Sequence, residues 1–189
     1  MCIRDSQHIE TNDDNTTGFV LAVKQQLGGL LVMHRPEELE RVRELLEQVL
    51  KVSESRPTSK YGRKLSSIGT IFMTAGHLKD AIDHFQRSLE VKETGQFYSK
   101  LGRASWQHFV QLGLEPKEHE EELATIKTHL IRGYEMMSNE SAGFSKNRKY
   151  LVRTAKALID LYAMSDDLES ANKWQWQLGK MPSKARPDS

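Results

Sequence analysis

The chain has 189 residues, 38% of them hydrophobic and 28% charged, with 27 Lys and Arg against 26 Asp and Glu. Such a composition can bury a core, and a formal net charge of +1 gives nucleic acid no bulk electrostatic attraction. The single cysteine, Cys2, excludes an internal disulfide framework and any Cys-rich zinc site, and the apolar runs fall far short of the roughly 20 residues a membrane helix needs. The expectation is a cytoplasmic protein with no cofactor, no metal and no membrane or nucleic-acid partner.

Met1 to Ser6 reads as a translated sequencing-adapter remnant, in which case the natural chain continues upstream; it is set aside, Cys2 included. Gln7 to Thr17 is polar and without apolar period, so residues 1–17 read as a disordered or frayed lead-in. Phe19, Leu21, Val23, Leu27, Leu30 and Leu31 then recur with a period near that of a helix, in which Gly28-Gly29 reads as a weak point. Pro36 opens the next helix, with Glu37 and Glu38 at the positive end of its dipole and Leu39, Val42, Leu46, Val49 and Leu50 on one stripe. Ser53 to Ser59, with Pro57, breaks it.

Tyr61, Leu65, Ile68, Phe72 and Met73 form a third stripe up to Ala75-Gly76, and Leu78, Ala81, Ile82, Phe85, Leu89 and Val91 a fourth. Phe97, Leu101, Ala104 and Phe109 predict a fifth helix ending near Gly113, and Glu118 to Met137 a long sixth. Ser138 to Asn147 reads as loop. Lys149 to Met164 and Leu168 to Leu178 predict a last pair, with Trp174 and Trp176 capping the array, before a tail at 182–189 containing Pro182 and Pro187. No segment alternates with the period of a strand. The fold class expected is all-α, with one helical domain over 18–181.

The second helices of the four pairs align on a small or β-branched residue followed four positions later by a longer one: Val42/Leu46, Ala81/Phe85, Ile126/Leu130 and Ala171/Gln175. The first members lie 39, 45 and 45 residues apart, a recurrence that predicts an α-solenoid of about four hairpins. In the clearest unit Leu65, Ile68, Gly69, Phe72, Gly76, Ala81, Phe85 and Leu89 stand at the offsets of a tetratricopeptide repeat, which the sequence therefore resembles. Leu101-Gly102, Leu158, Tyr162 and Ala171 repeat parts of that pattern. Small residues at Gly69 and Ala81 let the paired helices approach closely. The succession Ser99 to Ala104, Leu130 to Glu135, Ala157 to Tyr162 and Ala171 to Trp174 is similar to the C-terminal repeat arrays of bacterial serine/threonine protein kinases. That resemblance implies a right-handed superhelix used for protein–protein interaction, standing alone or recruiting for an enzyme encoded upstream. About eleven extra residues around Gly113 to Glu122 depart from it.

No catalytic pattern accompanies the repeats. There is no H-E-x-x-H, no G-x-S-x-G, no phosphate loop and no kinase motif, and the seven histidines show no ligand spacing. His119 and Glu120 to Glu122 read as favourable charge at a helix start. The chain is expected to be no enzyme. A small-ligand sensor is the rival of a different class, and it requires a closed pocket of titratable groups.

In the family resembled, the first helix of each pair lines a concave groove. The resemblance places Arg63, Ser66, Thr70 and Met73, then Ser99, Arg103, Trp106 and Gln107, then Arg153, Lys156 and Asp160 on that face. The recurring arginines suit carboxylates or phosphates, so an acidic or phosphorylated peptide is the expected partner, with Trp106 as anchor. Ser66 and Thr70 stand where the family's carboxylate clamp has Lys and Asn, which argues against chaperone C-termini. Lys146, Arg148, Lys149, Arg153 and Lys156 form one short basic patch, too small to make nucleic acid the favoured partner.

Overall fold

A computed structural model describes residues 24–54, 58–139 and 143–181. The expected lead-in, the helix start with Phe19, Leu21 and Val23, the centre of the Pro57 break and the tail beyond Met181 lie outside the described residues. Among those described every regular element is helical and none is a strand. A helix α1 covers 24–34, and a 3-10 turn at Pro36–Glu38 leads into α2, Leu39–Glu54. Then come α3 (Thr58–Thr74), α4 (Leu78–Val91), α5 (Gly95–Gln111), α6 (Glu120–Asn139), α7 (Gly143–Met164) and α8 (Leu168–Gly179). No helix of the described residues is long and apolar enough to cross a membrane.

Each helix from α2 onward packs on its neighbour in sequence, and α5 also touches α3 and α7. Side chains join the odd-numbered helices in order. Gln25 of α1 donates to Ser67 of α3 at 2.6 Å, Lys100 of α5 donates to Ser66 of α3 at 2.7 Å, and Ser99 of α5 lies 2.6 Å from Thr154 of α7. The even-numbered helices are joined in the same way. Arg43 of α2 grips Asp80 of α4 through two bonds of 3.1 and 2.8 Å, Glu93 just past α4 holds Arg132 of α6 at 2.6 Å, and Tyr134 of α6 meets Trp174 of α8 edge-on at 4.8 Å. Apolar residues of both sets fill the space between them: Leu46, Leu65, Ile68, Phe72 and Phe85 at one end, Phe109, Ile126, Leu130 and Leu158 further along.

Gly69 explains why the pairs close so tightly. A Cβ there would lie 2.8 Å from the Phe85 ring and 3.2 Å from the Ala81 carbonyl, so only glycine leaves room for α4 against α3. Gly102 stands in the same relation to Leu130, and Gly28 to Leu46, at 2.8 and 3.0 Å. Gly28 is thus a packing position rather than a weak point. This corrects the expected stripe of α1, since Leu27 and Leu30 are exposed while Val32 is buried. The apolar period alone misplaced that face because its contact residue has no side chain to count.

The turns after α3, α5 and α7 share one geometry. Gly76, Gly113 and Asp166 all have positive φ, and the N–H of the following residue donates to the carbonyl of Phe72, Phe109 and Tyr162 respectively. Asp166 alone pays for a left-handed backbone with a side chain, at φ 59°. Asp166→Gly is therefore expected to raise stability by about 0.5–1 kcal/mol, read as a higher urea midpoint at unchanged slope; a lower midpoint would show that the Asp166 carboxylate itself holds the turn.

Two boundaries differ from expectation. Helix α7 begins at Gly143 rather than Lys149, and the first turns are secured by a tertiary bond: buried Asn147 accepts from Gln96 of α5 at 2.8 Å. The extra residues near Gly113 form an irregular connection over 112–119, and α6 starts at Glu120 with three glutamates in its first turn. Of the two terminal tryptophans, Trp174 packs on Tyr134, whereas Trp176 is 61% exposed with Lys180 over its ring.

Candidate functional site

Because α3, α5 and α7 lie side by side, their faces border a partly open cavity of about 530 Å³. Helix α3 contributes Thr70, Met73 and Thr74, helix α5 Lys100, Arg103 and Gln107, and helix α7 Lys149, Tyr150 and Arg153. Residues three or four apart share a helix face, so each triplet is one short ridge aimed at the same space. Four of the nine residues are cationic and none is acidic.

Lys100 forms the floor. Its ammonium donates to Ser66 Oγ and sits 5.8 and 5.9 Å from the ring centres of Phe85 and Tyr150. Burial first, and Arg103 second, push its pKa down to about 8. Arg103 is held below the usual guanidinium range by burial and by the neighbouring charge of Arg153. Among the described residues no carboxylate pairs with Lys100, Arg103, Lys149 or Arg153. The contrast with the even-numbered helices is sharp: there Arg43, Arg87 and Arg132 each meet an acidic partner. Crowded, partly desolvated cations without counter-charge leave a standing electrostatic cost that an anion would relieve. Thr70 and Thr74 donate their hydroxyl protons to Ser66 and Thr70 carbonyls, so they offer an anion little.

Five of the expected groove residues line this cavity: Thr70, Met73, Arg103, Gln107 and Arg153. Arg63, Lys156 and Asp160 are exposed on α3 and α7 but lie outside the lining. Three were misplaced. Ser66 is buried beneath Lys100, and Ser99 is buried against Thr154 in the α5–α7 contact. Trp106 is only 7% exposed and stacks on Phe109 at 5.9 Å inside the apolar core, so it is no anchor for a ligand. Repeat offsets missed Lys100, Lys149, Tyr150 and Thr74; the helical neighbours of Arg103, Arg153 and Thr70 at three or four residues would have found them.

The other features carry less chemistry. A second cavity of about 540 Å³ lies between α1 and α3, lined by Gly29, Leu30, Met33 and Ile71 with Gln25 and Gln26, and has no titratable group. No group of three or more His, Cys, Asp or Glu among the described residues could hold a metal ion. His119 and Glu122 are 3.9 Å apart at the start of α6, a helix-end pair. Comparison with protein-family models, with curated proteins and with solved structures finds no match to this chain.

Proposed function

We propose that the chain is a tetratricopeptide-like array of four helix pairs that acts as a protein-interaction scaffold, holding an acidic peptide of a partner protein across α3, α5 and α7. The observation that carries this reading is the groove lined by Lys100, Arg103, Lys149 and Arg153, with no carboxylate in the lining and none among the described residues paired with those cations. The repeat reading is supported by three glycines, Gly28, Gly69 and Gly102, each seated against the longer member of an aligned pair, Leu46, Phe85 and Leu130. It is also supported by the two series of contacts that join odd to odd and even to even helices. The groove is built from the faces of three side-by-side helices, α3, α5 and α7, along which an extended chain can be laid.

Each charge-assisted hydrogen bond contributes about 1.5–3 kcal/mol, so reversing two cations should weaken an acidic peptide by two orders of magnitude or more. A peptide array rich in Asp, Glu and phosphorylated residues is the direct test. Arg103→Glu/Arg153→Glu is expected to lose its binders while keeping the unfolding transition of the parent. A variant that folds and still captures the same peptides would remove this groove as the binding face.

A further inference from the structure

We infer that the groove between α5 and α7 is a phosphoryl-group site, and that the natural ligand is a peptide bearing phosphoserine or phosphothreonine. This rests on the peptide-groove reading above and narrows it. A carboxylate brings one negative charge and two oxygens. The cluster presents four cations with no internal neutralisation: two guanidinium forks, Arg103 and Arg153, and two ammonium groups, Lys100 at the floor and Lys149 at the rim. A phosphomonoester brings close to two charges and three strong acceptor oxygens, which match forks approaching from two different helices.

The depth of the site points the same way. Lys100 is held from below by Ser66 and flanked by the Phe85 and Tyr150 rings, so its ammonium lies at the floor of the groove and reaching a carboxylate further out would break that hydrogen bond. A compact tetrahedral group can come down to it. The groups facing Lys100 are Arg103 on its own helix, Ser66 from α3, Phe85 from α4, and Lys149, Tyr150 and Arg153 from α7. None is acidic, so the charge that stabilises its protonated form must come from the ligand.

That arrangement has a measurable signature. Free Lys100 loses its proton near pH 8, and a bound dianion raises that value, so binding takes up a proton. A phosphoserine peptide keeps its charge above pH 7, so between pH 7 and 9 the protein group dominates. Affinity is therefore expected to be highest between pH 7 and 8 and to fall up to tenfold per unit above that, and Lys100→Met should flatten this upper limb of the profile.

The experiment is a titration of the full chain with a degenerate phosphoserine/phosphothreonine peptide library, its unphosphorylated counterpart, a Glu-for-phosphoserine library, inorganic phosphate, and a random RNA. The phosphorylated library is expected to bind at least tenfold tighter than any other probe. Lys149→Glu/Arg153→Glu, both exposed and safe for folding, should abolish the difference. Equal binding of the glutamate and phosphorylated libraries would overturn the phosphoryl assignment and leave the acidic-peptide groove standing. Inorganic phosphate binding as well as the peptides would overturn the peptide ligand, preferred binding of RNA would overturn the assignment, and no binding of any peptide would overturn both readings.

Discussion

Gly133→Ala is expected to destabilise the protein by about 2–3 kcal/mol, although alanine is the better helix former by about 1 kcal/mol. A Cβ on Gly133 would lie 2.6 Å from the backbone nitrogen of Ser99 and 3.0 Å from the Gly95 carbonyl. Both obstacles are main chain, so no side chain can rotate away; α5 and α6 must separate. Separation would also disturb Ser99 against Thr154, the polar contact that joins α5 to α7. Gly179→Ala, at the end of α8 with nothing within 4 Å of its missing Cβ, is the control and should be neutral or slightly stabilising. Denaturant midpoints for the two variants decide the matter. If Gly133→Ala is as stable as the parent, α5 and α6 do not approach as closely as described.

Trp106→Ala should cost more, about 3–5 kcal/mol, and it discriminates between two roles for the same residue. As a ligand anchor, the indole would be dispensable for folding and required for binding. Buried at 7% exposure and stacked on Phe109, it is instead part of one apolar cluster with Leu123, Ile126, Leu130 and Leu158. Truncation leaves a cavity between α5, α6 and α7 that close-packed helices cannot collapse into without moving the groove wall. Trp176→Ala removes an indole that is 61% exposed, and its effect should stay within about 0.5 kcal/mol. Thermal unfolding of both variants, with peptide binding measured below their transitions, separates the cases. A Trp106→Ala protein with parental stability and lost binding would restore the anchor.

The difference between the two tryptophans shows where reading by repeat offset stops. Offsets assign a residue to the first helix of a pair and to a turn of that helix. They do not say whether the position faces the groove, the partner helix of its own pair, or the first helix of the next. Offset puts Ser66, Ser99 and Trp106 on the concave groove face, yet Ser66 underlies Lys100, Ser99 faces α7 and Trp106 faces the core. The three directions lie within one helical turn. Only the crossing of α5 with α3 and α7 separates them.

Local pattern was sufficient for much else. The apolar periods of α2 to α8 needed no tertiary information, because a stripe that must be buried declares itself at every third or fourth residue. The turn at Gly76 and the close contact of Gly69 with Ala81 also followed from residue type: glycine adopts the left-handed backbone of the turn at least cost, and at Gly69 a Cβ would collide with the facing helix. Gly28 escaped for the converse reason: a glycine at a helix–helix contact adds nothing to a hydrophobic stripe, and the exposed Leu27 and Leu30 beside it outweighed it.

The order of charges along the chain set which helices would be polar on one side, but not which cations would meet. Lys100 and Arg103 are near neighbours in sequence to each other and distant from Lys149 and Arg153. Their convergence depends on α5 lying against α7, a contact held by the Ser99–Thr154 and Gln96–Asn147 pairs. Helicity and the pairing of helices are short-range properties, governed by residue spacing within some forty positions. A groove is a property of three helices that never adjoin in sequence, and its cations come together only when packing sets α3, α5 and α7 side by side.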